Sequence, residues 1–379
     1  MIKLKYKHTC VALLLLLSLP LFSFHGPSNW FKEEVSKEIT KSFNVDHDVY
    51  LGVQNKYGSI EISTWDKNEV DVKVDIKVSS NSRSNAQEFL DGIEILFSES
   101  SGRLGMKSYY PETDSSPWWS SWWSSSKSIS FEINYEIRAP EGISTELINK
   151  YGQVSLEKIE GSCDVVNKYG DILLDEIGKD LTLDLGYGKA KIGNVYGDSD
   201  MTIKYSSIKI NECQNLRLES KYSDYKIGKS GKLDIESKYD DYVIEEAISM
   251  TNEGKYDDFR FGSLGGVDIE TKYTDLIIDN LDKVLVFDGG YGSIKVKQAN
   301  NLKKVDVDAK YTNVQIHYNG AFDLDFDGDK TGFKIEKPYD DIQVSEDGGD
   351  KTVKAHKGSN GAQIDVDMDY GSFKLLKYN

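Results

Sequence analysis

The 379-residue chain is short of several residue types on which catalysis and cross-linking rely. Cysteine occurs three times, at Cys10, Cys163 and Cys213, too few and too scattered for a disulfide framework or a metal cluster. Only His47, His317 and His356 lie beyond the first thirty residues, far apart, and arginine is confined to Arg83, Arg103, Arg138, Arg217 and Arg260. No Gly-x-Ser-x-Gly elbow, phosphate-binding loop, His-Glu-x-x-His or dinucleotide fingerprint occurs. Proline is scarce, 6 residues against 32 glycines, and hydrophobic residues make up 39%. Collagen, coiled coil and a multi-span membrane protein are excluded by these numbers. Positive charge is also in deficit. The formal net charge is −17, which repels phosphate backbones and anionic lipid headgroups and argues against nucleic-acid binding.

Long apolar runs are missing apart from one near the start. Lys3, Lys5 and Lys7 precede the run Val11 to Leu17, which Pro20 breaks. That order of features predicts an export signal over residues 1–26. The run is too short to span a bilayer, so no transmembrane span is expected after cleavage. Cys10 precedes the apolar run, so no lipid anchor is expected. The mature protein is expected outside the cytoplasm: in the periplasm, on the outer-membrane surface or in the medium.

What is abundant is tyrosine, 23 residues, and it is periodic. Tyr151, Tyr169, Tyr187, Tyr205, Tyr222, Tyr239, Tyr256, Tyr273, Tyr291 and Tyr311 follow one another at intervals of 17 or 18 residues, the last of 20. Lysine precedes eight of them; Gly186 and Gly290 are the exceptions. A small residue commonly follows, then a polar one, often aspartate as in Asp171, Asp224, Asp241, Asp258 and Asp275. Apolar residues alternate on both sides, as in Leu216, Leu218, Ile208 and Ile210. Alternation with period two means strands with one face buried. Tyrosine shares the parity of the apolar positions before it, so its ring is expected to point inward and the preceding lysine outward. Tyr57, Tyr339 and Tyr370 supply three further copies, thirteen in all.

Two architectures fit such a repeat. A β-solenoid stacks one unit per coil at about 4.8 Å, giving a rod on the order of 60 Å. An antiparallel meander makes each unit a hairpin, but the corner pairs Gly-Asp, Ser-Asp, Asp-Asp and Thr-Asp suit two-residue hairpins poorly. The expected fold is therefore all-β, a single-stranded β-solenoid of about thirteen short coils with an N-terminal β-rich cap. Its regular repeats would occupy residues 141–320, and irregular C-terminal coils residues 321–379. The inward tyrosines would stack, and lysine and aspartate at each corner would cancel charge along the rod. A repeated ligand site at that corner is the alternative.

The cap is expected over residues 30–140, with strands around Val70 to Val78, Ile93 to Phe97 and Ile129 to Ile137. A short helix is expected over 84–91, with Phe89 and Leu90 buried and Gly92 closing it. Within the cap, residues 111–128 form a serine-rich loop holding Trp118, Trp119, Trp122 and Trp123, four of the six tryptophans. Exposed, such a loop is a contact surface for a glycan, an envelope component or a protein partner. Alternatively it folds back and plugs the end of the rod. Asp323 to Asp329 resembles the start of an EF-hand loop, but Lys334 stands where the last ligand should be, and Phe322, Leu324 and Phe326 alternate as in a strand. Cys163 and Cys213 fall too far apart to bridge. No metal or cofactor is expected.

The leader, the repeat, the stretch Ile133 to Pro140 leading into Asn149-Lys150-Tyr151-Gly152, and the stretch Leu51 to Ile62 followed by Trp65 carry a resemblance. Together they resemble the exported "putative adhesin" β-strand-repeat proteins of bacteria, especially Bacteroidota, a family of unknown function similar to the head domains of autotransporter adhesins. The resemblance spans about residues 35–379. It implies a right-handed parallel β-helix and a cell-envelope location, and it brings no catalytic residues. The tryptophan-rich loop is an insertion relative to it.

The functional expectation is a non-enzymatic envelope or surface protein that displays a binding loop. A polysaccharide lyase or hydrolase built on a β-helix is the alternative, and it needs carboxylates converging in a groove. A purely mechanical spacer is the third reading.

Overall fold

A computed structural model describes residues 32–111 and 129–378 of the chain. The fold is all-β, with one helix among the described residues. The first strands are β1 (Glu33–Asn44), β2 (Tyr50–Gln54), β3 (Ile60–Trp65) and β4 (Glu69–Ser80). Helix α1 (Arg83–Asp91) follows, then β5 (Glu94–Ser100), β6 (Arg103–Tyr109), β7 (Ser130–Pro140), β8 (Ser144–Tyr151) and β9 (Val154–Leu156). The helix buries Ala86, Phe89 and Leu90, and Gly92 caps it, as its apolar spacing predicts.

The repeat sets the pairing. Each strand bonds in parallel to the strand one repeat away, in register: Thr145 with Cys163, Cys163 with Leu181, and Asp224 with Asp241, then Asp258, then Asp275. Neighbouring repeat units are not hairpins. Because the register is preserved, equivalent side chains form columns along the molecule. Inward columns are largely apolar: Leu183, Met201, Leu218 and Ile235 occupy one, each almost fully buried. Burying such side chains stabilises by about 1.5–3 kcal/mol each, before conformational entropy is subtracted. This burial replaces the missing disulfides. Cys163 and Cys213 are buried free thiols, and burial pushes the Cys163 thiol up to about 12.

Both ends depart from simple succession. At the N-terminal end, β2 and β3 pair in parallel with β8 and β9 on one side and with β6 and β7 on the other, and residues 66–143 intervene between β3 and β8 in the chain. The intervening segment covers that end: β4 runs antiparallel to both β1 and β7, and β5 antiparallel to β6. At the C-terminal end, strand Ala362–Leu376 lies between Lys304–Tyr318 and Phe322–Ile335, parallel to both. The last strand of the chain thus inserts beneath an earlier one. The antiparallel hairpin Asp341–Asp347 and Asp350–Lys357 then closes the edge of Phe322–Ile335. Exposed open edges invite pairing with other chains, and antiparallel covers at both ends remove much of them. The EF-hand-like stretch is part of strand Phe322–Ile335, with Phe322, Leu324 and Phe326 buried and Asp325 and Asp327 exposed.

Candidate functional site

The tyrosine corner is the most regular surface feature of the molecule, and its orientation reverses the expectation. The rings do not point inward. From Tyr169 to Tyr370 the stacked tyrosines are 37 to 54% exposed. The reason lies in the backbone. Tyr187, Tyr205, Tyr222, Tyr239, Tyr256, Tyr273, Tyr291, Tyr311 and Tyr370 all have φ between 52° and 62°, in the left-handed region. One left-handed residue breaks the alternation of a strand. In the unit around Tyr222, Leu216, Leu218 and Ser220 face inward, Lys221 and Tyr222 both face outward, and Ser223 faces inward again. At the first two corners the glycine after the tyrosine takes the positive φ instead, at Gly58 and Gly152.

Twelve rings, Tyr57, Tyr151, the nine left-handed residues and Tyr169, form one column. Successive centroids are 4.6 to 5.3 Å apart and successive planes 2 to 14° from parallel. Such pairs are worth about 0.5–1.5 kcal/mol each beyond area burial. That offsets a left-handed backbone costing about 1–2 kcal/mol per residue. Tyr339 is not in the column, contrary to the thirteenth repeat expected there. In register with Tyr370 stands Lys330, itself left-handed at φ 46°. Its ammonium lies 5.0 Å from the Tyr370 ring centroid and donates to the Tyr370 hydroxyl at 3.1 Å.

Stacking fixes what this column offers chemically. Each ring face is covered by the next ring, and both end faces are covered too. Lys330 covers the last. The first, Tyr57, meets Phe131 at 4.9 Å and Tyr110 at 5.7 Å edge-on, with Lys56 over it. A sugar ring needs an open aromatic face, so the column presents only ring edges and phenol hydroxyls.

Charged columns run beside it. Lys221, Lys238, Lys255 and Lys272 align one residue before the tyrosines. Glu219, Glu236, Glu253, Glu270 and Asp288 align two residues earlier on the same outer face. Between the two columns lies a shallow groove of about 460 Å³. The lysines before the tyrosines balance this acidic column more than they pair with the aspartates after the tyrosines. Among the described residues only Lys310 of that row makes an ion pair, with Asp369 at 2.9 Å, which raises its pKa.

Inside the corner runs a hydrogen-bonded column that sequence reasoning did not find. The left-handed turn leaves the N–H of the next residue without a strand partner, and a buried N–H must find one. The side chain of the following unit supplies it. Gly188 N–H donates to Ser206 Oγ, Ser206 to Ser223 Oγ, Ser223 to Asp240 Oδ1 and Asp240 to Asp257 Oδ1, at 2.6 to 3.3 Å. Asp240 and Asp257 are thus buried carboxylates, 2% and 0% exposed. Burial pushes Asp240 up to about 6 and Asp257 up to about 7. The signal was present in the sequence as the varying small residue after each tyrosine: Gly, Ser, Thr or Asp.

The tryptophan-rich loop is placed only by its stems. Trp118, Trp119, Trp122 and Trp123 lie outside the described residues, as does the leader. Tyr110 and Phe131 flank the loop and meet each other at a tilt, 5.3 Å apart, against Tyr57. Phe131 also meets Phe89 of α1 at 4.9 Å. The described residues on either side of the loop thus meet at the first ring of the column. The three histidines stay apart: His47 pairs with Glu160, His317 with Gln315 and His356 with Asp323. Among the described residues no group of three or more His, Cys, Asp or Glu is arranged to hold a metal ion. No helix among them is long and apolar enough to cross a membrane.

No protein-family model matches the chain, and no curated protein matches it. Two solved structures align over most of it. One, a "putative cell adhesion protein" from Clostridium sporogenes, is 9% identical, covers 91% of this chain and 100% of its own, and has a TM-score of 0.18. The other, a "putative adhesin" from Bacteroides fragilis, is 11% identical, covers 72% of this chain and 97% of its own, and has a TM-score of 0.31. These neighbours bear the same name as the group that the sequence resembles.

Proposed function

We propose that the protein is an exported, non-enzymatic binding scaffold of the cell envelope or cell surface, adhesin-like in role. In this reading the chain winds as a right-handed β-solenoid and presents the loop 111–128 as its contact surface, with Trp118, Trp119, Trp122 and Trp123 making the contact. The partner is a glycan, an envelope component or a protein. One observation carries the reading: the stems of the loop, Tyr110 and Phe131, are packed on Tyr57 at the end of a rigid aromatic column. Packed aromatic side chains on both sides of the loop give it well-defined points of departure, which favours its use as a contact surface. The charged columns support the same reading. Carboxylates repeat at fixed spacing along an outer face instead of converging in pairs, which is the arrangement of a solvated surface.

The test is replacement of all four loop tryptophans by serine in the full chain. Binding to envelope fractions and glycan arrays is expected to be lost, with the β signal in circular dichroism unchanged. Binding that survives the four replacements would remove the loop from the function.

A further inference from the structure

The buried corner at Asp240 and Asp257 holds two carboxylates that nothing in the proposed binding role uses. They replace the serine found one unit earlier at Ser223. Asp257 Oδ1 accepts from Asp240 N–H at 3.0 Å, and its Oδ2 accepts from Ser237 Oγ at 2.9 Å. Asp240 Oδ2 accepts from Tyr242 Oη at 3.3 Å. None of the hydrogen-bond partners of either carboxyl is an ammonium or guanidinium group.

A second polar group interrupts the interior beside them. Asn252 occupies a column whose neighbours in register are Ile235 and Ile269, and it is 3% exposed. Its Nδ2 donates to Ile235 O at 3.1 Å and to Ser237 Oγ at 3.0 Å, while its Oδ1 has no partner. That orphan oxygen lies beside Gly254, as does Asp257 Oδ2. A Cβ on Gly254 would stand 3.1 Å from Asn252 Oδ1 and from Ser237 Oγ, and would collide with Asp257 Oδ2. An acceptor without a donor and a carboxylate without a cation thus flank the same glycine, whose missing side chain lets them approach. Three oxygens are too few to replace the hydration of a hard cation, which takes six or more.

We infer that Asp257 is protonated on Oδ2 in the folded protein, that it donates this proton to Asn252 Oδ1, and that the corner is a pH-sensitive lock on the middle of the stack. The proton completes the network. Asn252 Oδ1 gains its donor, Ser237 Oγ keeps one bond given and one accepted, and the buried charge disappears. The groups facing Asp257 favour the same state. Asp240 and the Tyr242 phenol lie on the unit before it, with Tyr225 behind Tyr242 at 4.7 Å. On the outer face, Lys238, Lys255 and Lys272 are interleaved with Asp241, Asp258 and Asp275, so no net positive field remains to hold a carboxylate ionised.

The direction of the pH effect follows. A carboxyl whose folded pKa lies above its unfolded value contributes stability that is complete below the unfolded pKa and is lost as pH rises through the folded one. Burial pushes Asp257 up to about 7, so the lock is closed in mildly acidic surroundings and opens through neutrality. Most proteins with paired carboxylates respond in the opposite sense.

The experiment compares the wild-type chain with Asp257→Asn and Asp258→Asn by infrared spectroscopy and thermal denaturation from pH 5 to pH 8. The wild type is expected to show the carbonyl stretch of an undissociated carboxylic acid at pH 6, and its melting midpoint is expected to fall as pH rises. Asp257→Asn should weaken that band to the share Asp240 supplies and flatten the fall, and Asp258→Asn, which alters an exposed neighbour, should keep both. Equal pH slopes and an unchanged band in the wild type and Asp257→Asn would overturn the inference. So would a midpoint at fixed pH that tracks sodium or potassium concentration, which would put a metal ion between these oxygens. Should Asp257→Asn fail to fold, Asn252→Leu serves. Removing the acceptor should move the acid band to higher frequency, and an unmoved band would overturn the inference.

Discussion

Replacing Tyr239 by alanine and, separately, by glycine pulls apart two opposed energies at the corner. Tyr239 stacks on Tyr222 at 4.9 Å and on Tyr256 at 4.7 Å, both within 2° of parallel. Removing the ring abolishes both contacts, a loss of about 1–3 kcal/mol from the two pairs. Alanine keeps the left-handed backbone at φ 61° and its cost, whereas glycine relieves roughly 1 kcal/mol of it. Tyr239→Ala should therefore destabilise by about 1–3 kcal/mol, and Tyr239→Gly by about 1 kcal/mol less. At an ordinary strand position the ranking is the reverse, with glycine worse than alanine by about 0.5–1 kcal/mol. Urea denaturation of both variants in the same full-length background, compared at unchanged m, reads the difference. Alanine equal to or better than glycine would refute a left-handed tyrosine as the cause of the outward ring.

Other substitutions test neighbouring parts of the account. Ser223→Ala removes the acceptor of the buried Ser206 N–H and should cost about 1–3 kcal/mol by the same denaturation assay. Gly170→Ala places a methyl group against the Gly152 carbonyl of the preceding unit, so a large fall in melting temperature is expected. Lys330→Ala uncovers the last ring, and Tyr370 should gain reactivity toward nitrating reagents. Lys330→Arg should retain most of that cover.

Much of the fold was legible in the sequence because parity and period are local. The alternation of Val70 to Val78 and the 3.6-residue spacing of Ala86, Phe89 and Leu90 fixed a strand and a helix, and the tyrosine interval set the register of the columns. Parity failed at the tyrosines because it assumes an unbroken extended backbone. A left-handed tyrosine is a conformation its side chain does not announce. The buried aromatic stack is instead Tyr225, Tyr242 and Phe259, three residues beyond each corner, with centroids 4.6 to 4.7 Å apart. The C-terminal order was also hidden. Tyr339 follows the sequence rhythm, yet Lys330 holds the corner, because Ala362–Leu376 inserts between two earlier strands and that pairing depends on contacts distant in sequence. The corner column was half legible: the small residues after the tyrosines were visible, and their task as acceptors for orphaned N–H groups required the turn geometry.

The outward column is tested most directly by limited nitration of the native protein at fewer than one modification per molecule, with sites mapped by mass spectrometry. The account predicts modification at Tyr187, Tyr205, Tyr222, Tyr239, Tyr256, Tyr273, Tyr291 and Tyr311, and protection of Tyr135, Tyr225 and Tyr242, which are at most 1% exposed. Protection of the first set with modification of Tyr225 and Tyr242 would place the column inside and contradict it.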